Sequence, residues 1–216
     1  MDPVSFLFWR FYYFFRDPLR RIPSGRVVVS PADGYVVYVS EVEKGRAPCP
    51  FKEGVGLDLE ELGQGGERFE DGGTQIGIYM APTSVHFNRA PIGGTVAHIV
   101  GRPAKGENRS MAKTLARLIW KMPPYVKESR YVADNARNSI VIAGEFPVLV
   151  VQIADRYVRA IDCFIQEGER VEAGQKIGMI RMGSQCDLFI PRRSAAAVLC
   201  RPGDKVLAGE TILARY

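Results

Sequence analysis

The chain has 216 residues, 46% hydrophobic and 25% charged, which is ordinary for a globular protein with a substantial core. Its only imidazoles, His86 and His98, exclude a multi-histidine metal site, and no metal is expected. Four cysteines, Cys49, Cys163, Cys186 and Cys200, have neither metal-ligand spacing nor a paired framework, which reads as reduced thiols in a cytosolic setting. The formal net charge of +5 is unevenly placed: residues 1–30 carry five Arg against two Asp, and residues 101–131 carry eight Lys/Arg against two Glu. On charge alone, such blocks suit anionic lipid and nucleic acid equally.

Residues 4–16 hold eight aromatics in a run too short to span a bilayer, and no small-residue cleavage site follows to suggest a secretory signal. An aromatic helix flanked by Arg10, Arg16, Arg20 and Arg21 and ended at Asp17-Pro18 fits an interfacial anchor; burial against the domain or a partner is the competing reading. Residues 26–42 predict strand, turn and strand, with Asp33 in an Asp-Gly turn. Residues 44–73, rich in Gly and acidic side chains, predict an exposed excursion.

Residues 75–100 predict two strands around a Pro-bounded turn holding His86, Asn88 and Arg89, whereas His98 reads as structural. Residues 109–122 predict a basic amphipathic helix with Met111, Leu115, Leu118, Ile119 and Met122 on one face, stopped by Pro123-Pro124. It suits either an anionic membrane or the face of a sheet. Residues 131–165 return to strands, with 148–153 buried. Nucleic acid is not an expected partner, because the aromatics form an apolar block instead of alternating with the basic residues.

Gly168-x-x-Val171-x-Ala173-Gly174-x-x-Ile177 recurs 35 residues later as Gly203-x-x-Val206-x-Ala208-Gly209-x-x-Ile212. Pro31-x-x-Gly34-x-Val36 is echoed by Pro91-x-x-Gly94-x-Val96. These units resemble the barrel-sandwich fold of lipoyl and biotinyl domains, and the expected class is mainly β (α+β) with two helices added.

Between two apolar runs near the C-terminus lies Arg181-Met182-Gly183-Ser184-Gln185-Cys186-Asp187-Leu188. One reading of Gly183-Ser184 is a plain bulge. The other is a self-cutting site. Ser184 Oγ attacks the Gly183 carbonyl, which has no Cβ to obstruct it. The ester then eliminates, and hydrolysis leaves a ketone at residue 184.

The segment from Ile177 through Ser184 to Pro191 resembles the processing site of the short phosphatidylserine decarboxylases. Phe14-Phe15-Arg16-Asp17-Pro18, Ser30-Pro31-Ala32-Asp33-Gly34 and Val85-His86-Phe87-Asn88-Arg89-Ala90-Pro91 resemble that family's further motifs, in its order. Asp134-Asn135-Ala136-Arg137-Asn138 is a degenerate copy of its Asn-Glu-Arg-Asn stretch. The chain departs from the longer members in having His86-x-x-Arg89 for His-x-x-His, and Met182-Gly183-Ser184-Gln185 for Leu-Gly-Ser-Thr.

The resemblance implies a proenzyme cut between Gly183 and Ser184 into 1–183 and 184–216, which stay together as a heterodimer. It implies a pyruvoyl group made from Ser184 as cofactor, and decarboxylation of phosphatidylserine at an anionic membrane surface. His86 is the expected base and proton donor, with Asp33 orienting it. Arg89 and Arg137 are candidates for the substrate carboxylate or phosphate, against a surface ion-pair role. The expected organisation is a membrane-associating segment, 1–22, ahead of a catalytic domain, 23–216, on the cytoplasmic face of a membrane. Alternatives are an ether-lipid (archaetidylserine) decarboxylase of the same mechanism, a silent lipoyl-like membrane-binding module, and a Ser184–His86–Asp33 hydrolase. The last lacks a Gly-x-Ser-x-Gly elbow.

Overall fold

The computed structural model describes residues 12–43, 69–126, 130–156, 158, 161–181 and 183–216. Residues 4–11 of the expected aromatic helix and 44–68 of the acidic excursion lie outside them.

The core is β, as expected, and it curls into a half-barrel. The strands are β1 (Val27–Val29), β2 (Gly34–Val42), β3 (Gly73–Met80), β4 (Phe87–Arg89), β5 (Gly94–Arg102), β6 (Arg137–Ala143) and β7 (Pro147–Ala154). They continue with β8 (Ile161–Cys163), β9 (Arg170–Val171), β10 (Lys176–Ile180), β11 (Ser184–Pro191), β12 (Ala197–Val198), β13 (Lys205–Val206) and β14 (Ile212–Arg215). The main sheet runs β13-β2-β3-β11-β7-β6-β5-β9, with β1-β14-β12 and β4-β10-β8 as smaller sheets.

The repeats fit this sheet as a pseudo-symmetric pair. Val206 pairs with Gly34 on β2, and Val171 pairs with Gly94 on β5. The backbone bonds are equivalent too: Gly203 N–H donates to Val36 O and Gly168 N–H to Val96 O. Each glycine-turn unit therefore caps one end of the sheet, which is why the two sequence echoes come in matched pairs.

Period-2 alternation sorts the side chains onto two faces. Cys186, Leu188 and Ile190 of β11, Ile76, Ile78 and Met80 of β3, and Val148, Val150 and Ala154 of β7 form the inner core. Phe189, Tyr79, Leu149, Val151 and Ile153 point to the outer face, where Met111 and Tyr131 cover them. Tyr131 belongs to a short helix, α2 (Tyr131–Asp134), where a strand was expected.

The basic helix α1 spans Ala112–Ile119. Its inward side carries Met111 and Thr114, with Leu115 and Leu118 half-buried, but Ile119 and Met122 are exposed, contrary to the sequence reading. The helix stops at Ile119, so Met122 leaves the 3.6-residue period that would have aligned it with the others. With Trp120, 74% exposed, they form an uncovered apolar tip.

Candidate active site

Ser184 opens β11 and is fully buried at one end of the inner core, paired with Met80 on one side and Ala154 on the other. Its hydroxyl finds only a thioether, donating to Met80 Sδ at 3.2 Å. That weak acceptor leaves the nucleophile undercommitted. Gly183, immediately before it, has φ +59°, the left-handed region that penalises any residue with a Cβ. A Cβ there would also lie 2.9 Å from Asp155 Oδ2. The Gly183 carbonyl accepts the backbone N–H of Asp155 at 3.3 Å, a donor set on the oxygen where negative charge develops if Ser184 attacks. Asp155 is itself pinned, since its Oδ1 accepts Met111 N–H at 2.9 Å and Arg156 N–H at 2.6 Å.

His86 is also fully buried, immediately before β4. β4 pairs with β10, and only residues 181–183 separate β10 from Ser184. The backbone carbonyls of Ala81 and Pro82, which directly follow Ser184's partner Met80, also act on the imidazole. Nδ1 lies 3.1 Å from the Ile180 carbonyl. A carbonyl only accepts, so Nδ1 carries the proton and Nε2 presents its lone pair. Nε2 is buried with no hydrogen-bond partner. Desolvation lowers the His86 pKa to about 4 against the opposing pull of these carbonyls, with the nearby Arg16 charge lowering it further. The ring is therefore neutral at pH 7, in the tautomer a base at Nε2 requires.

Asp33 does not pair with His86, contrary to expectation. It accepts the Ala208 N–H at 2.7 Å and forms a buried ion pair with Arg20 at 3.0 Å. These two donors already hold its carboxylate, and the carbonyl of Ile180 orients the imidazole instead. Arg89 also stands apart, bonding Gly174 O at 2.7 Å and Asp17 at 2.5 Å. Burial alone would raise the Asp17 pKa, but Lys176 and Arg89 outweigh it and hold the carboxyl below its ordinary range. Arg137 is buried, donates to Ala133 O at 2.6 Å, and lines a cavity of about 320 Å³ with Arg102, Asn138, Ala154 and Ile161. Ala154 is the register partner of Ser184, so this cavity reaches the row of the nucleophile.

Sequence reasoning missed a buried chain of amides between that cavity and Ser184. Asn138 donates to Gln152 at 3.0 Å, and Gln152 donates to Asn88 at 2.8 Å. Asn88 Nδ2 then meets Pro31 O at 3.4 Å and the same Met80 sulfur at 3.6 Å. The Pro31 carbonyl, an obligate acceptor, fixes which way the Asn88 amide points. The one available signal was the i, i+2 spacing of His86, just before β4, and Asn88 within it, the spacing that extended chain sends to one side. On the outer face, Asp187 is fully buried among Tyr38, Gln75 and Gln185; burial pushes its pKa up to about 6 despite these hydrogen bonds.

A family model described as phosphatidylserine decarboxylase matches residues 7–214. The chain belongs to the phosphatidylserine decarboxylase family. It is 36% identical over 206 residues to a phosphatidylserine decarboxylase proenzyme of Ruegeria pomeroyi, covering 94% of this chain and 77% of that one. It is 35% identical over 216 residues to the proenzyme of Erythrobacter litoralis, covering 99% and 76%. It is also 38% identical over 204 residues to a chain named as an archaetidylserine decarboxylase proenzyme in Methanocaldococcus jannaschii, covering 94% and 87%.

Proposed function

We propose that this chain cuts itself between Gly183 and Ser184 and, once cut, decarboxylates phosphatidylserine to phosphatidylethanolamine at a membrane surface. The observation that carries the reading is the left-handed Gly183, its carbonyl on the Asp155 N–H, directly before a buried serine whose hydroxyl has only a thioether to bond.

In the cut, His86 Nε2 takes the Ser184 hydroxyl proton while Oγ adds to the Gly183 carbonyl carbon. The Asp155 N–H holds the resulting oxyanion. Collapse breaks the Gly183–Ser184 C–N bond and leaves an ester. Loss of the Ser184 Cα proton then breaks the Cβ–O bond, releasing the Gly183 carboxylate. Water replaces the residue 184 nitrogen, which leaves as ammonia. The smaller fragment contributes β11 between β3 and β7, and β13 and β14 against β2 and β1, so the two pieces stay interlocked.

The residues present fit a pyruvoyl group at position 184. The site is buried, and its polar groups, His86 Nε2 and Asn88 Nδ2, have weak partners or none among the described residues. A ketone there would supply an electrophile for the substrate amine and a sink for the electrons of the broken C–C bond. Around it, His86 returns a proton to the substrate Cα, and Arg137 at the cavity wall holds the carboxylate or phosphate. Arg89 is better explained as the tie that fixes Asp17. Asp33 acts on the turn carrying Pro31, and through it on Asn88.

Among the described residues no helix is long and apolar enough to cross a membrane. Attachment from the cytoplasmic face falls to the N-terminal segment 1–22 and the uncovered tip of α1, with 23–216 as the catalytic domain. An ether-lipid serine substrate is the second reading, favoured by the 38% identity to the M. jannaschii chain. The test supplies vesicles of ester-linked or ether-linked serine lipid and follows carbon dioxide release. Release from either lipid that stops in Ser184→Ala supports the proposal, and the faster lipid assigns the substrate. Release from neither by a cut wild-type chain refutes it.

A further inference from the structure

Residues 12–22 cross the His86 face as a strap. Arg16 donates to Thr83 O at 2.5 Å, Asp17 joins Arg89 and Lys176, and Arg20 joins Asp33. The strap buries the Arg20 side chain in its ion pair with Asp33 and one apolar side chain, Phe14. Phe14, in the short 3-10 turn Tyr13–Phe15, is 3% exposed and stacks on the imidazole with centroids 4.3 Å apart and planes 27° apart. Ile22 packs on Gly174 and Gly209, but three other apolar side chains face outward: Leu19 is 100% exposed, Tyr12 74% and Phe15 41%. Cationic groups accompany them, with the Arg16 guanidinium 3.8 Å from the Tyr13 ring centre and that of Arg181 5.9 Å from Phe15.

Two demands of the proposed chemistry conflict in this closed form. Ser184 and His86 are both 0% exposed, so a lipid amine has no approach to them. His86 must also be neutral to take the serine proton, yet protonated to give one to the substrate Cα. With its pKa near 4, only about one His86 in a thousand is protonated at pH 7.

We propose that Phe14 is a positioning residue that keeps His86 covered while Ser184 attacks, and that an anionic lipid surface, by taking up Tyr12, Phe15 and Leu19, lifts it away for turnover. The reading rests on the role given to His86 above. The groups facing the imidazole divide cleanly. Phe14 and Arg16 belong to the strap: Phe14 covers one face of the ring and so adds to the burial that favours the neutral form, and the Arg16 charge favours it too. The Ala81, Pro82 and Ile180 carbonyls belong to the body and favour the imidazolium. Withdrawal of the strap removes only the first set. The surface is matched to an amphipathic lipid boundary, where aromatic rings and arginines sit at headgroup level.

The test is an NMR titration of the two imidazoles in full-length Ser184→Ala, which stays uncut, so failure of the self-cleavage reading leaves this measurement intact. In buffer, His86 should titrate near pH 4. On phosphatidylglycerol nanodiscs it should move up by about two pH units relative to His98, the internal reference for the surface potential common to both. Phe14→Ala should produce a similar rise in buffer without discs. His86 moving no further than His98 on the discs overturns the proposal, and that arm needs no substitution in the strap. A folded Phe14→Ala chain whose His86 still titrates near 4 overturns it equally.

Discussion

Gly183→Ala attacks the feature on which the self-cleavage reading depends. Alanine at φ +59° costs roughly 1–2 kcal/mol in that backbone region. Its Cβ would also sit 2.9 Å from Asp155 Oδ2, and Asp155 cannot swing away freely while its Oδ1 holds two backbone N–H groups. The chain can relax by taking residue 183 to negative φ, but that rotates the carbonyl off the Asp155 N–H, now 3.3 Å away. Strain retained in the reactive geometry slows cleavage by about 5- to 30-fold. Loss of the oxyanion donor slows it by about 10²- to 10³-fold. The assay follows the intact mass of freshly translated chain over time. Gly183→Ala combined with Asp155→Gly separates the steric contact from the φ penalty, because it removes the first and leaves the second; it should recover part of the rate. A Gly183→Ala chain that cuts at the wild-type rate would refute the geometry as the cause.

Acid stability provides an independent check on His86. Its folded pKa, near 4, lies below the unfolded value of about 6.5, so the unfolded chain binds the extra proton between them. The contribution is complete above pH 6.5 and about 3 kcal/mol is lost as pH falls toward 4. His86→Leu should flatten that limb in urea melts, and an unchanged limb contradicts the assignment. Asp187 has the opposite sign: its folded pKa, near 6, is above the carboxyl model value of 3.8, so stability is lost as pH rises between them. Asp187→Asn should therefore gain on wild type by up to about 3 kcal/mol from pH 4 to pH 8, and a pH-independent difference counts against a buried ionising carboxyl. Replacing Ile119, Trp120 and Met122 together by serine should weaken sedimentation with anionic vesicles several-fold without lowering the melting temperature. Equal sedimentation would remove the α1 tip from the membrane contact.

Particular residues show what could be read in the chain and what could not. The Gly183-Ser184 pair stood out because its chemistry is local, and the paired repeats announced a β core because turn glycines and alternation repeat at fixed offsets. The partner of His86 was not legible. A backbone carbonyl such as that of Ile180 has no side-chain signature, so the role of orienting His86 went to Asp33, as the family resemblance implied, whereas Asp33 bonds Ala208 and Arg20. The Asn138–Gln152–Asn88 relay was hidden for another reason: its bonds span 14 and 64 residues of sequence and join three strands only after folding. The inward face of α1 was misjudged at Ile119 and Met122, because periodicity gives the direction of a helix but not the residue at which it stops.

The most direct test of the account is the mass of the purified wild-type protein under denaturing conditions. Two fragments of 183 and 33 residues are predicted, the smaller beginning with a pyruvoyl group in place of Ser184. A single chain of 216 residues, still whole after incubation with membranes, would contradict it.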